Sequence, residues 1–512
     1  MCIGRVLGGL FLSLFIGSSH AAQIAPQLVY GTFLGGRDKD CASGIAVDKS
    51  GAAYVVGHTP SPDFPVTPGA FSTTTSVNNN DWVGFVSKIS ATGDRLLYSS
   101  FIGGNFRSSA KAVAVDSRGR AYVVGATCSS ALPVTQSAVI RKAPGTDKID
   151  ECDGFLAELS PDGSRVEYAT YLGGSREDGA TAVALAPDGE TVYVGGDTRS
   201  PDFPVTPSAL QPRLDGSANG FFSAIDVTSG RLLYSTYIGG NGNDRVSGIA
   251  VAPDGTVYVS GNTDSAHWPN LRLARFGALG ATDGFVIRFD PTGKTEPFGV
   301  RIGGSGTEEL AGISLDSRGD IYAVGTTNSP DFPVKGASVR QLGGGFVVKI
   351  SGRHFATKHP EVVWARRLGG HGDDALLSLS AGIPSSIFVS GRSGSKDFQT
   401  TRTAIYSHLQ AGNDSTLIQL GASDGKLQFA TFLGGTRIPA SWYNDEATGV
   451  FATANRDVFV TGCTLDDRLP VSRGALQPRP RGNSEPFVLR MIFPALNRQI
   501  SRSRDGRGRG SH

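Results

Sequence analysis

Apolar residues in this chain fall in short alternating runs, and each run is closed by glycine, proline, aspartate or asparagine. A period of two over such lengths predicts half-buried β-strands. In the first full unit, Ser43 to Asp48 forms one strand, Lys49-Ser50-Gly51 turns, and Ala52 to Gly57 returns as the second strand of a hairpin. A loop of roughly twenty residues leads to a third strand, Gly84 to Ile89, and a tight turn leads to a fourth, Leu96 to Ile102. Later hairpins turn through Pro187-Asp188-Gly189 and Pro253-Asp254-Gly255, where glycine tolerates positive φ.

The unit recurs. A Gly-Gly doublet closes an aromatic strand at Gly35, Gly103, Gly173, Gly239, Gly303, Gly369 and Gly434, at steps of 68, 70, 66, 64, 66 and 65 residues by subtraction. So regular a period marks a repeat architecture. Four antiparallel strands per unit make a propeller blade whose faces stay apolar until neighbouring blades cover them. At the start of the chain, Leu28 to Leu34 reads as a fourth strand with no preceding three. At the end, Pro486 to Met491 reads as a third strand with no fourth after it. Pairing the two completes one blade and removes two exposed sheet edges. The expected fold is therefore an all-β, seven-bladed β-propeller with four antiparallel strands per blade, closed by the N-terminal strand completing the last blade.

Composition changes this picture mainly at the ends. Residues 1–22 carry Arg5, an apolar stretch from Val6 to Ile16 and small residues at Ala21-Ala22, the pattern of a secretory signal. That stretch is too short to span a bilayer, and no later segment predicts a transmembrane helix. The formal net charge is +2, but residues 497–512 contribute five arginines against Asp505, 5 − 1 = +4. This Arg/Gly/Ser-rich tail is expected to be disordered, since it has little apolar surface to bury. Residues 23–496 then form a single propeller domain. The 69 glycines sit at fixed phases of the repeat and read as turn residues, not low complexity. The expected product is an exported monomer, periplasmic, secreted or at the cell surface, and nucleic acid is not an expected partner.

Once Cys2 leaves with the signal, four cysteines remain, and in an oxidising compartment they are disulfide candidates. Cys128 and Cys152 bound one long loop of the second blade. Cys41 and Cys463 flank the seam, where a bridge would staple the ring; four free or differently paired thiols are the alternative.

The segments Tyr234 to Gly240, Gly248 to Ala252, Tyr258 to Gly261, Asp202 to Ala209 and Asp283 to Val286 together resemble the bacterial β-propeller repeat family often called SBBP repeats. The resemblance extends over nearly all of residues 28–493. It implies an exported or cell-surface propeller and carries no catalytic residues across. The sixth and seventh units depart from the pattern at Asp397-Phe398-Gln399, Arg468-Leu469-Pro470 and Asp414 to Leu417.

Four residues after most Gly-Gly doublets' second glycine stands an acid: Asp40, Asp178, Asp244, Glu308 and Asp374. A ring of such carboxylates would accept hydrogen bonds from sugars or ligate Ca²⁺, or each would cap the amides of its own turn. No twelve-residue Ca²⁺ loop is present, so the expected cofactor set is none, with Ca²⁺ as the alternative. Asp63-Phe64-Pro65 and its relatives place an aromatic at a fixed point of the long loop, as a sugar platform or as an anchor between blades. Trp82, Trp268 and Trp442 are loop aromatics outside the common pattern and are candidate recognition residues. The histidines do not recur in phase, and no metalloprotease, serine-hydrolase or zinc spacing appears. These features predict a non-enzymatic recognition scaffold for a protein or glycan, presented by the long loops on one face. The alternatives are an extracellular polysaccharide lyase or hydrolase acting at the channel mouth, and a purely structural envelope module.

Overall fold

Each repeat folds as four antiparallel strands hydrogen-bonded in sequence order. A computed structural model describes residues 24–495 apart from 76–80, 105, 145–150, 270, 291–296, 337–342, 411, 435–444 and 466. The signal segment, the basic tail and Trp442 lie outside the described residues. In blade 1 the strands are Cys41–Val47, Ala53–Thr59, Val83–Ile89 and Leu96–Ile102, counted from the axis outward. The innermost strands of blades 2 to 7 are Ser108–Val115, Asp178–Leu185, Asp244–Val251, Glu308–Leu315, Asp374–Ile383 and Glu446–Ala452. Each touches the next, and the seventh touches the first, which closes the ring into a seven-bladed β-propeller.

Closure uses the first strand of the described chain. Gln27–Phe33 pairs antiparallel with Glu485–Ile492, from Gln27 opposite Ile492 to Phe33 opposite Phe487. Cys41 and Cys463, 422 residues apart in sequence, are joined across this seam, and Cys128 is joined to Cys152 within blade 2.

The core is divided among the blade interfaces. Tyr54 and Val56 face Val123 and Phe155 of blade 2, while Val55 and Phe85 face Phe459 and Val488 of blade 7. The second strand is therefore apolar on both faces, because both are covered. Seven buried clusters occupy the seven interfaces among the described residues.

Crowding at the axis selects small residues. A Cβ on Gly44 would lie 3.2 Å from the carbonyl oxygen of Lys111, and one on Gly449 would lie 3.0 Å from the Ile45 side chain. In the second strand, Gly261 leaves no room for a Cβ, because the carbonyl oxygen of Arg245 occupies its place. The hairpin glycines Gly189 and Gly255 adopt φ of 71° and 84°, as their turns require.

Two departures from a uniform repeat stand out. Blade 4 has a fifth strand, Leu273–Gly277, parallel to Phe298–Gly303 on its outer edge. In blade 5, the insertion between third and fourth strands folds as the short helix Gly352–Ala356. Phe355 on it is buried against Tyr258 of blade 4 at 5.7 Å between ring centroids. Among the described residues no helix is long and apolar enough to cross a membrane.

Candidate functional site

Strand direction sorts the two rims of the ring. The innermost strands begin, the second strands end, and the long loops leave on the same face; the short hairpin turns occupy the other. The long loops do not pile up on that face. They fold back along the fourth strands, with Thr206 N donating to Ser235 O at 3.0 Å and Tyr237 N to Gln211 O at 3.2 Å. Equivalent bonds run from Thr135 to Ala169, Thr401 to Ala430 and Ser472 to Gly31. The Pro-Val-Thr-Pro stretch thus covers a sheet edge that would otherwise be open to pairing with other chains. Its preceding aromatic pins the loop: Phe64, Phe203 and Phe332 are buried, each 4.5 Å between ring centroids from a third-strand phenylalanine. Trp268 fills this anchor place in blade 4. It is 9% exposed, packs on Phe285 and donates from Nε1 to Thr263 Oγ1, which withdraws most of its surface from any ligand.

The acidic series lies just beneath the same face, and it is buried. Asp40, Asp178, Asp244, Glu308 and Asp374 each accept from the second amide of their own Gly-Gly doublet, at 2.6 to 2.8 Å. Hydroxyls from the end of the second strand complete the clamp: Thr59 and Ser61 on Asp40, Ser200 on Asp178, Ser265 on Asp244, Thr327 on Glu308, Ser393 and Ser395 on Asp374. Ser108 replaces the acid in blade 2 and bonds to the Gly103 carbonyl and Thr127 instead. Burial raises the Asp178 carboxyl to about 6 against the pull of these bonds, and it raises Asp40 and Asp244 as well. The series therefore ties the last strand of five blades to the first strand of the next. The partner signal was present in the sequence as the recurring pairs Thr59/Ser61, Thr198/Ser200, Thr263/Ser265 and Thr327/Ser329, two residues apart.

With loops and acids so placed, the concavity on this face is the mouth of the central channel, a funnel of about 580 Å³. Its wall includes Cys41, Ser43, His58, Lys111, Thr181, Arg245, Ser247, Glu446 and Thr448. Deeper in, the side chains of Ile45, Val113, Val183, Ile249, Ile313 and Val450 line a channel of about 470 Å³, interspersed with Thr181, Ser314, Ser378 and Ser380. At the rim, Arg245 pairs with Glu309 at 3.2 Å, and Arg392 bridges Asp373 and Glu446 at 3.4 Å each. Burial raises the carboxyl of Asp197, whose neighbour Arg245 pulls it down. Burial, seconded by the charge of Lys111, lowers His58 to about 4, so this imidazole is neutral at pH 7.

Trp82 stands beside the mouth. Its ring lies 6.1 Å from that of His58 and carries the Arg107 guanidinium on its face at 4.2 Å. Of the three tryptophans singled out from the sequence, it is the one described at the funnel. His58, Asp197, Asn262 and Arg392 share one position, the residue after the glycine of the second strand. Variation at that place inside an otherwise constant frame is the signal that would have located the rim. Among the described residues, one cluster has metal-ligand spacing: Cys41, Glu446 and Cys463, whose two sulfurs are already bonded to each other.

No family model matches the chain. The chain is similar to the Regulatory protein FlaEY of Caulobacter vibrioides, 26% identical over 237 residues, which are 44% of this chain and 24% of that protein. The match thus spans about a quarter of the relative's length. Among solved structures it is similar to Kuenenia stuttgartiensis hydrazine synthase, at TM-score 0.41 and 12% identity over 87% of this chain and 95% of that one. BamB from Moraxella catarrhalis gives 0.37 and 13% over 88% and 85%. Raptor from Chaetomium thermophilum gives 0.45 and 7% over 92% and 30%.

Proposed function

We propose that the protein is an exported, non-enzymatic recognition scaffold, of the SBBP repeat type, that engages a protein segment or a glycan at the channel mouth. The funnel carries this reading. It is a concavity whose rim holds three ion pairs and beside which the Trp82/Arg107 stack stands, a mixture suited to a polar ligand with flat surfaces. A purely structural module has no need of such a pocket. The reading is non-enzymatic because Glu309 and Glu446 at the rim are paired with guanidiniums, and the acids beneath hold backbone amides. The two disulfides fit an oxidising compartment.

The test is glycan-array binding by the protein and by an Arg245→Ala/Glu309→Ala variant, each with and without chelator. Binding that the variant loses and the chelator spares is the expected result. Binding by the variant equal to that of the parent would overturn the assignment of the site, and loss with chelator would return the acidic series to a Ca²⁺ role. A protein that binds no glycan points to a protein ligand, which the same rim variant must then fail to bind.

A further inference from the structure

Every innermost strand carries a β-bulge at the same register. The pairing with the second strand skips between Ala42 and Gly44, Ala110 and Ala112, Ala180 and Ala182, Val246 and Gly248, Leu310 and Gly312, Leu376 and Ser378, and Glu446 and Gly449. A bulge turns its extra residue out of the pleat and re-aims the side chain. Here the extra residues Ser43, Lys111, Thr181, Ser247, Ala311, Leu377 and Thr448 all line the funnel. Seven blades therefore place seven side chains in a ring round the axis.

The ring is not uniform. From blade 7 through blade 4 it reads Thr448, Ser43, Lys111, Thr181, Ser247, a continuous polar arc with the lysine at its centre. Ala311 and Leu377 close the circle with an apolar arc. Thr181 and Thr448 donate their hydroxyls to the carbonyls of Val246 and Ala42 at 2.7 and 2.8 Å. The Ser247 hydroxyl is buried without a partner.

Lys111 has no carboxylate partner among the described residues, whereas Arg245 and Arg392 at the rim are neutralised. Its side chain is exposed to solvent in the wall of the funnel, and partial desolvation by the neighbouring protein lowers its pKa. An ammonium without a counter-ion, set in the wall of a concavity, favours one bound negative charge. Below it the wall turns to Ile45, Val113, Val183 and Ile249.

We propose that the funnel binds a small monocarboxylate with an apolar tail, its head on Lys111 Nζ and the Ser43 hydroxyl and its tail against the side chains of Leu377, Ile45, Val113 and Ile249. One cation matches one negative charge, which favours a carboxylate over a dianionic phosphate. This deepens the recognition reading given above, because it names a ligand for the same mouth.

Calorimetric titration of the whole protein with octanoate, octanol and octyl phosphate tests it, with Lys111→Met alongside. Octanoate is expected to bind, and octanol and octyl phosphate to bind more weakly. Lys111→Met is expected to lower octanoate affinity by about tenfold or more, the loss of one charge-assisted hydrogen bond, while the melting temperature stays put. Equal affinity for octanoate and octanol, an unchanged affinity in Lys111→Met, or no octanoate binding at millimolar concentrations would each overturn the proposal. Tighter binding of octyl phosphate would replace the carboxylate with a dianion. Failure of octanoate to bind while the Arg245→Ala/Glu309→Ala variant still loses its glycan or protein ligand would sink this proposal and leave the recognition reading standing.

Discussion

Removing the seam disulfide should destabilise the protein more than removing the local one. Cys41 and Cys463 are 422 residues apart, and Cys128 and Cys152 are 24 apart. In the chain-entropy relation, stabilisation grows with the logarithm of the closed loop, giving about 6 kcal/mol for the first bridge and about 3.5 kcal/mol for the second. For a unit of roughly 470 residues the unfolding entropy is about 1 kcal/mol/K, so Cys41→Ala/Cys463→Ala should lower the melting temperature by about 6 °C and Cys128→Ala/Cys152→Ala by about 3 to 4 °C. Thermal and urea unfolding of the two double variants, with the parent protein in reductant as a third sample, measures the order directly. The native seam should survive in the first variant, because Gln27–Phe33 remains paired with Glu485–Ile492. A seam variant as stable as the local one would refute the claim that the bridge acts by shrinking the unfolded chain around a closed ring.

Three further outcomes follow from the packing. Burial raises Asp178 to about 6 and Glu485 to about 7, so the folded state holds these protons more tightly than the unfolded chain. Stability should thus be highest below pH 4 as far as these two groups decide it. It should fall as pH rises toward 7, by about 3 kcal/mol per group; Asp178→Asn should flatten the part of the slope below pH 6 in urea titrations, and an unchanged slope would contradict the burial argument. Gly261→Ala should cost about 1 to 3 kcal/mol, since its Cβ would have to displace the Arg245 carbonyl; a neutral effect in urea unfolding would mean that the bulge yields freely. Phe203→Ala should cost about 3 to 5 kcal/mol, because the ring is buried against Phe221 and Tyr237; a cost under about 1 kcal/mol would show that the loop is held by its hydrogen bonds alone.

What the linear order of residues determined by itself was the repeat, and with it the ring. Gly-Gly doublets, Pro-Asp-Gly turns and apolar runs are local requirements, set by backbone sterics and by the need to cover both faces of a sheet, so they are legible wherever they recur. The unpaired strands at 28–34 and 486–491 made closure readable for the same reason, since each lacks the partner that the other supplies. Only the tertiary structure decided what the long loops and the acids do. The loops fold back along the fourth strands because those edges need hydrogen-bond partners, and the acids turn inward because the Gly-Gly amides and the hydroxyls of the recurring Thr/Ser pairs point at them; the pairs lie about twenty residues from the acids, so the link shows only once the strands are paired. The funnel was hidden for a stronger reason. His58, Lys111, Arg245 and Glu446 lie on different blades, from about fifty to about two hundred residues apart from one to the next, and they converge because the seven blades share one axis; the bulge in blade 2 turns Lys111 toward it.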